Sequence, residues 1–361
     1  MPYGDISQIS GTDAVAFNHI ISDPKLLNAA MRGRYILALL LGLPNAGGYR
    51  AGELRRDFSF DKLEKDSGAQ IELPFFSGQS TPRPLTYATA SNVTPTNVTA
   101  KPYNVVLPWY EVVDNVDVPG VYMRRAGNDK GKIENVMKMF GTQLVEGYLQ
   151  MMHNGLMWTA LPSSSNFGGL RALISDGVSP GEAAYAQYGT GVGVLDRSAV
   201  GNEGFRSLVV KNAGAFSRIK LASWQQTLRD RGGMASIGIM NSADHAALQV
   251  QYSEKSLIRT PYDDLISKIG APYFQDNGTL FIPDSVLPSG TLLLIDPEDF
   301  FFRGKAYDAM PDKPKVLEGE TSWVHLQNNE DLWRAKIIYS FQTGIKPNSI
   351  YRQGKIEGLT F

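Results

Sequence analysis

The sequence contains no cysteine. Disulfides, thiolate nucleophiles and thiolate metal sites are therefore excluded. Charge imbalance is almost absent too. Lys and Arg total 35 against 36 Asp and Glu, a formal net charge of −1. A protein that wraps nucleic acid tightly carries a basic excess or a basic tail. This chain has neither, so any contact with packaged nucleic acid is expected to be weak and scattered. Long apolar runs are missing as well. The most hydrophobic stretch, Tyr35–Leu43 (YILALLLGL), is far short of the ~18 residues needed to cross a bilayer and reads as a buried helix end. The opening MPYGDISQISG lacks the basic and apolar regions of a secretory signal. A soluble, intracellularly made protein without a membrane segment is expected.

Recognisable catalytic chemistry is also scarce. The histidines, His19, His153, His245 and His325, lie far apart. No two share the spacing that places metal ligands on one helix face, and each reads as a core or surface residue. There is no phosphate loop with a terminal Lys-Ser/Thr and no serine in a nucleophile elbow. The glycine-rich Gly189-Thr190-Gly191-Val192-Gly193 lacks the further glycine and following helix of a dinucleotide fingerprint, and reads as a turn. No cofactor or metal is expected. An α+β enzyme working through carboxylates brought together by the fold stays open as an alternative.

What is present is one long amphipathic segment, Asp129–Trp158. Apolar residues recur at Ile133, Met137, Phe140, Leu144, Tyr148 and Met151, steps of three and four that make a helical stripe. Glu134, Lys138, Thr142, Glu146 and Gln150 line the other face. Such a helix is about 40 Å long, far above the usual length. Gly141, Gly147 and Gly155 each cost roughly 1 kcal/mol inside it and predict close crossing by another backbone. The helix alone equally suits the core of an α+β enzyme.

Upstream, residues 1–56 read as an arm with two short helices, the second started by Pro24 and stopped by Gly42 and Pro44. Ser77–Pro108 carries only Arg83 and Lys101 as charges and is rich in Thr, Asn and Pro. Leu85–Thr89 and Tyr103–Leu107 look extended and predict a long irregular hairpin joined through 92–97. It is too poor in apolar residues for its own core and too long for an ordinary loop, yet its Tyr87, Tyr103, Trp109 and Tyr110 are not linker composition. An arm of this kind should lie on something else, most simply a neighbouring subunit. Downstream, Leu161–Gly177 reads as a loop and a short apolar strand. Ser217 caps a helix running to Arg231, and Ser236–Asn241 is a buried strand. Asp244–Val250 and Tyr262–Lys268 are short helices. Leu280–Ile282 and Leu292–Ile295 are strands, and Leu332–Phe341 is a long strand with Thr321–Leu326 as antiparallel partner.

One segment is more specific. Gly168-Gly169-Leu170-Arg171-Ala172-Leu173-Ile174-Ser175-Asp176-Gly177 is followed by Gly193-Val194-Leu195-Asp196-Arg197-Ser198 and then Phe205-Arg206-Ser207. A Gly-Leu…Leu-Ile strand, an Asp-Arg-Ser turn and an aromatic-Arg pair in this order resemble the major capsid proteins of tailed double-stranded-DNA bacteriophages, whose fold is shared with encapsulins and the herpesvirus capsid floor. The order of elements agrees over nearly the whole chain.

The resemblance implies an α+β fold with an N-terminal arm (1–56) and an extended loop (57–113). It implies a peripheral domain (114–159 and 321–361) holding the spine helix, and an axial domain (160–320). It implies a non-enzymatic protein that self-assembles as pentamers and hexamers into an icosahedral shell around a DNA genome. The extended loop then reaches over the spine helix of the next subunit, with Tyr87, Lys101, Tyr103, Trp109, Glu146 and Gln150 as candidate inter-subunit contacts. Asp196 and Arg197 form a turn-stabilising or ion pair. Expected partners are the chain itself, a separate scaffolding protein, a portal protein and weakly held DNA. The expected location is the virion capsid, assembled in the host cytoplasm. Some relatives crosslink a loop lysine to a neighbour's asparagine; Lys101 and Asn348 are the residues to consider here. The alternatives are an encapsulin-like compartment around an enzyme cargo, a tail or decoration protein, and the carboxylate enzyme.

Overall fold

The computed structural model describes residues 34, 36–37, 64–66, 69–77, 101–119, 121–122, 130–157, 159–191, 194–253, 274–305, 322–326 and 332–361. The expected extended segment 85–89, the expected helix 262–268 and nearly all of the arm lie outside these residues. In chain order the elements are β1 (Glu64–Asp66), β2 (Gln70–Ser77), β3 (Lys101–Pro108), β4 (Tyr110–Pro119), α1 (Lys130–Met157), α2 (Leu170–Leu173), β5 (Gln187–Tyr188), β6 (Leu195–Asp196), β7 (Leu208–Val210) and β8 (Gly214–Ala215). Next come α3 (Arg218–Asp230), β9 (Ile237–Asn241), α4 (Ser242–Ser253), β10 (Phe274–Asp276), β11 (Thr279–Asp284), β12 (Leu292–Ile295), β13 (Phe300–Lys305), β14 (Ser322–Leu326), β15 (Leu332–Ile345), β16 (Gly354–Ile356) and β17 (Leu359–Thr360). The class is α+β, as expected.

The expected long helix is present as the 28-residue α1. In its C-terminal half, Tyr148, Leu149, Met152, Leu156 and Met157 are buried while Glu146 and Gln150 are exposed, the one-sided burial that a 3.6-residue period produces. The glycines behave differently from the expectation. A Cβ at Gly155 would sit 2.6 Å from the Phe167 ring, so an aromatic side chain approaches there and not a crossing backbone. Gly147 is exposed.

Two sheets organise the rest. In the first, β15 pairs antiparallel with β14, with β4 and, at its end, with β13, which in turn pairs parallel with β1. The expected pairing of the long strand with Thr321–Leu326 is thus observed over Ser322–Leu326. The second sheet has the order β10-β11-β9-β12-β16-β7. Its central strands read as continuous buried runs, IGIM in β9 and LLLI in β12, because both faces are covered. On one face Ile237, Ile239, Leu280, Ile282, Leu293 and Ile295 join the main core shared with α1. On the other, Met240, Phe281, Leu292 and Leu294 pack with Leu221, Leu228 and Leu248 of α3 and α4. Helix α3 begins as its sequence demands: the Ser217 side chain accepts from the Lys220 N–H, satisfying a donor that the first turn leaves unpaired.

The structure corrects two expectations. Leu170–Leu173 is a short helix and not a strand, with the Ile174 N–H bonded to Leu170 O at 2.9 Å. A short apolar run between glycines does not reveal its period. The described partner of β3 is β2, registered from Gln70↔Pro108 to Ser77↔Lys101. This hairpin base is no coreless arm, since Ile71, Leu73, Phe75, Val105 and Leu107 are all buried in the main core. The two sheets also exchange strands late in the chain. β13 belongs to the sheet of β15, while β16 enters the six-stranded sheet between β12 and β7. The two crossovers run side by side. Lys346 N–H donates to Asp299 O at 2.9 Å, Asp296 N–H to Gln353 Oε1 at 2.8 Å, and Gln353 Nε2 to Asp299 Oδ2 at 2.8 Å.

Candidate functional site

Among the described residues no cluster of three or more His, Asp or Glu could hold a metal ion, and no helix is long and apolar enough to cross a membrane. The feature that the specific sequence segment builds is a junction of loops centred on Arg197. Its side chain is fully buried. One guanidinium nitrogen donates to Leu173 O at 2.7 Å and Ser175 O at 3.1 Å, the other to Ala172 O at 3.3 Å and to Tyr185 O. Burial pushes the group down to about 10, with Tyr188, Glu182 and Asp176 opposing the fall, so it stays charged at neutral pH. A planar fork of donors suits this task, capturing the carbonyls left over at the end of α2.

Asp196 and Arg197 are not paired with each other. The Asp196 carboxylate accepts from Ser198 N–H at 2.8 Å and from Ser198 Oγ at 2.6 Å, and these bonds hold it below the usual carboxylate range. Each residue therefore stabilises the turn separately: Asp196 locally, Arg197 by tying it to the core. Arg206 closes the turn from outside, its Nε donating to Arg197 O at 2.6 Å and its Nη2 to Ser198 O at 3.1 Å. Phe205 next to it is buried edge-on against Phe75 of β2 at 5.4 Å. The three motif pieces thus meet at one place and seat the base of the extended hairpin. The turn after β5 adds to this, with Thr190 N–H donating to Val106 O of β3 at 2.9 Å.

Three further groups were not singled out from the sequence. Glu182, almost fully buried, takes Lys355 at 2.7 Å and Lys211 at 2.6 Å. Lys211 also reaches Glu357. Burial pushes the Glu182 carboxyl up, but the hydrogen bonds from Lys211 and Lys355 outweigh it and leave the group below its ordinary value. Gln342 of β15 is a hub: its Oε1 accepts from Gly168 N–H at 3.0 Å, and its Nε2 donates to Pro108 O and Ser163 O, each at 3.2 Å. His153 of α1 pairs with Asp284 of β11 at 3.2 Å. No local spacing signals any of these, because every partner is brought in from a distant part of the chain.

The candidate inter-subunit residues separate. Tyr87 lies outside the described residues, and of Lys101 and Tyr103 only the backbone in β3 is described. Trp109 is 5% exposed and belongs to the chain's own core; its place between β3 and β4 draws it inward with Leu107. Glu146 and Gln150 are exposed on α1. Gln150 Oε1 accepts from Arg34 Nε at 3.1 Å and Nη2 at 2.8 Å, so Arg34 is tied to this face of the helix. Further along the same helix Met139 is exposed, as are Val121 and Tyr122, with Tyr122 edge-on to Phe140 at 6.1 Å.

No family model matches the sequence, and no curated protein matches it. Solved structures do. The capsid asymmetric unit of Cyanophage A-1(L) is 13% identical; the match covers 88% of this chain and 98% of that one, with a TM-score of 0.62. The capsid of an empty GTA particle is 10% identical over 88% of this chain and 95% of that one, at 0.50. An encapsulin complex from Synechococcus elongatus, 10% identical over 87% and 92%, reaches only 0.47. Over almost its whole length, this chain has the capsid-protein fold of phage shells.

Proposed function

We propose that the chain is the shell-forming subunit of a phage capsid, a structural protein and not an enzyme. The observation that carries this is the likeness to a phage capsid subunit over nearly the full length of both chains. Exposed apolar side chains at Val121, Tyr122 and Met139 are candidates for its neighbour contacts. In this reading the six-stranded sheet with α3 and α4 is the axial part, gathering around five- and six-fold axes. The five-stranded sheet with α1 is the peripheral part, and the β2–β3 hairpin leads into the extended loop that reaches a neighbour. Many modest contacts repeated by symmetry then hold the shell. A scaffolding protein, a portal and weakly held DNA are the further partners, and assembly takes place in the host cytoplasm before the protein resides in the virion.

The test is negative-stain electron microscopy of the freshly expressed chain, with sedimentation velocity. Closed shells, or rings of five and six, are expected, alone or with scaffolding protein co-expressed. DNA inside particles recovered from infected cells completes the reading, whereas an enzyme cargo turns it to a compartment. A chain that stays monomeric with its co-expressed phage partners overturns it.

A further inference from the structure

Helix α1 and the six-stranded sheet contribute to one apolar core, Leu149, Met152 and Leu156 from the helix and Ile282 and Leu287 from β11 and the turn after it. Within this core lies a polar contact. His153 Nε2 is 3.2 Å from Asp284 Oδ2, with both side chains 2% exposed. The carboxylate is fixed from behind, because Oδ1 accepts from Val286 N–H at 2.8 Å and Leu287 N–H at 3.2 Å. Nε2 faces this carboxylate, and the other ring nitrogen, Nδ1, is buried without a partner. The charged groups acting on the ring are Asp284 from β11 and Arg34 from the N-terminal segment, itself tied to Gln150 and near Glu146.

We propose that His153 and Asp284 form an acid-released latch between α1 and the six-stranded sheet: a proton taken up at Nδ1 finds no acceptor in the core and loosens the helix from β11. Water has to enter, or the helix has to shift, to satisfy the new N–H. The balance of charges agrees. Burial pushes His153 below the ordinary histidine value, Asp284 draws it up, and Arg34 pushes it down again, leaving it lowered. A histidine lowered in the folded state keeps the seat fully closed above its unfolded value. The seat is then lost as pH falls from there through the folded value, by up to about tenfold in the opening equilibrium per pH unit. The latch is a property of the single chain and does not depend on shell formation.

Hydrogen exchange of the full chain between about pH 7.5 and 5.5, the range in which histidine titrates, tests this once protection is corrected for intrinsic rates. Peptides covering 148–157 and 279–287 should lose protection together on acidification. His245 is the control, since it also is buried and sits 3.3 Å from Phe281 O of β11. The joint loss should persist in His245→Gln and vanish in His153→Gln. A second measurement covers a His153→Gln chain that does not fold. The imidazole resonance of His153 in the unaltered protein should titrate below the value in the unfolded chain. Protection that is indifferent to pH, or a His153 midpoint at or above the unfolded value, overturns the proposal.

Discussion

At the scale of single residues, buried charges carry the loop junction. Arg197→Met keeps the bulk but takes the donor from the Ala172 and Tyr185 carbonyls and the second donor from those of Leu173 and Ser175. An unsatisfied buried group costs about 1–3 kcal/mol, so urea unfolding should report a loss of at least about 2 kcal/mol. Glu182 and Lys355 make a sharper pair of outcomes. Glu182→Gln strands Lys355 in the core and weakens Lys211 at once, whereas Lys355→Met leaves Glu182 still held by Lys211. The first should cost about 3–5 kcal/mol and the second distinctly less, with the double variant recovering part of the loss. Because the folded carboxyl is lowered, its contribution is complete above the ordinary Glu range and fades as pH falls through the lowered value. Glu182→Gln should therefore flatten stability against pH in the acid range, as followed by urea midpoints.

At the scale of elements, caps and amphipathic faces were legible. Ser217 before an apolar i, i+3, i+4 pattern specified α3, and the long stripe specified α1 to within a residue at either end. Ser217→Ala should cost about 1 kcal/mol and lower the thermal midpoint by about 2 °C. The hairpin was legible only in half. β3 stands out by its extended run, and β2 declares itself only by the alternation of Ile71, Leu73 and Phe75, far along the chain from β3. Of the junction, Asp196, Arg197, Phe205 and Arg206 stood out because they are adjacent in sequence. Glu182, Gln342 and His153 did not, since their partners come from far along the chain and burial alone gives them meaning. Phe75→Ala removes the ring that Phe205 packs against. It should cost about 3 kcal/mol and raise hydrogen exchange first in β2 and β3.

At the scale of the whole molecule, the proposed association draws on side chains that folding leaves exposed. Met139 is exposed on α1, so Met139→Glu should leave the unfolding midpoint within about 0.5 kcal/mol of the parent while abolishing particles in sedimentation velocity. The path of the chain has another consequence, for synthesis. β16 lies inside the six-stranded sheet, bonded to β12 on one edge and β7 on the other. Until residues 354–356 leave the ribosome, β7 and β12 face each other across a missing strand, long after β9 and α3 have emerged. Domains generally fold as units while the chain is made, but this one has its keystone among the later residues. A nascent chain halted before them exposes the open edges of both strands, and a chain released beyond them has closed that gap in its own sheet before meeting a second copy.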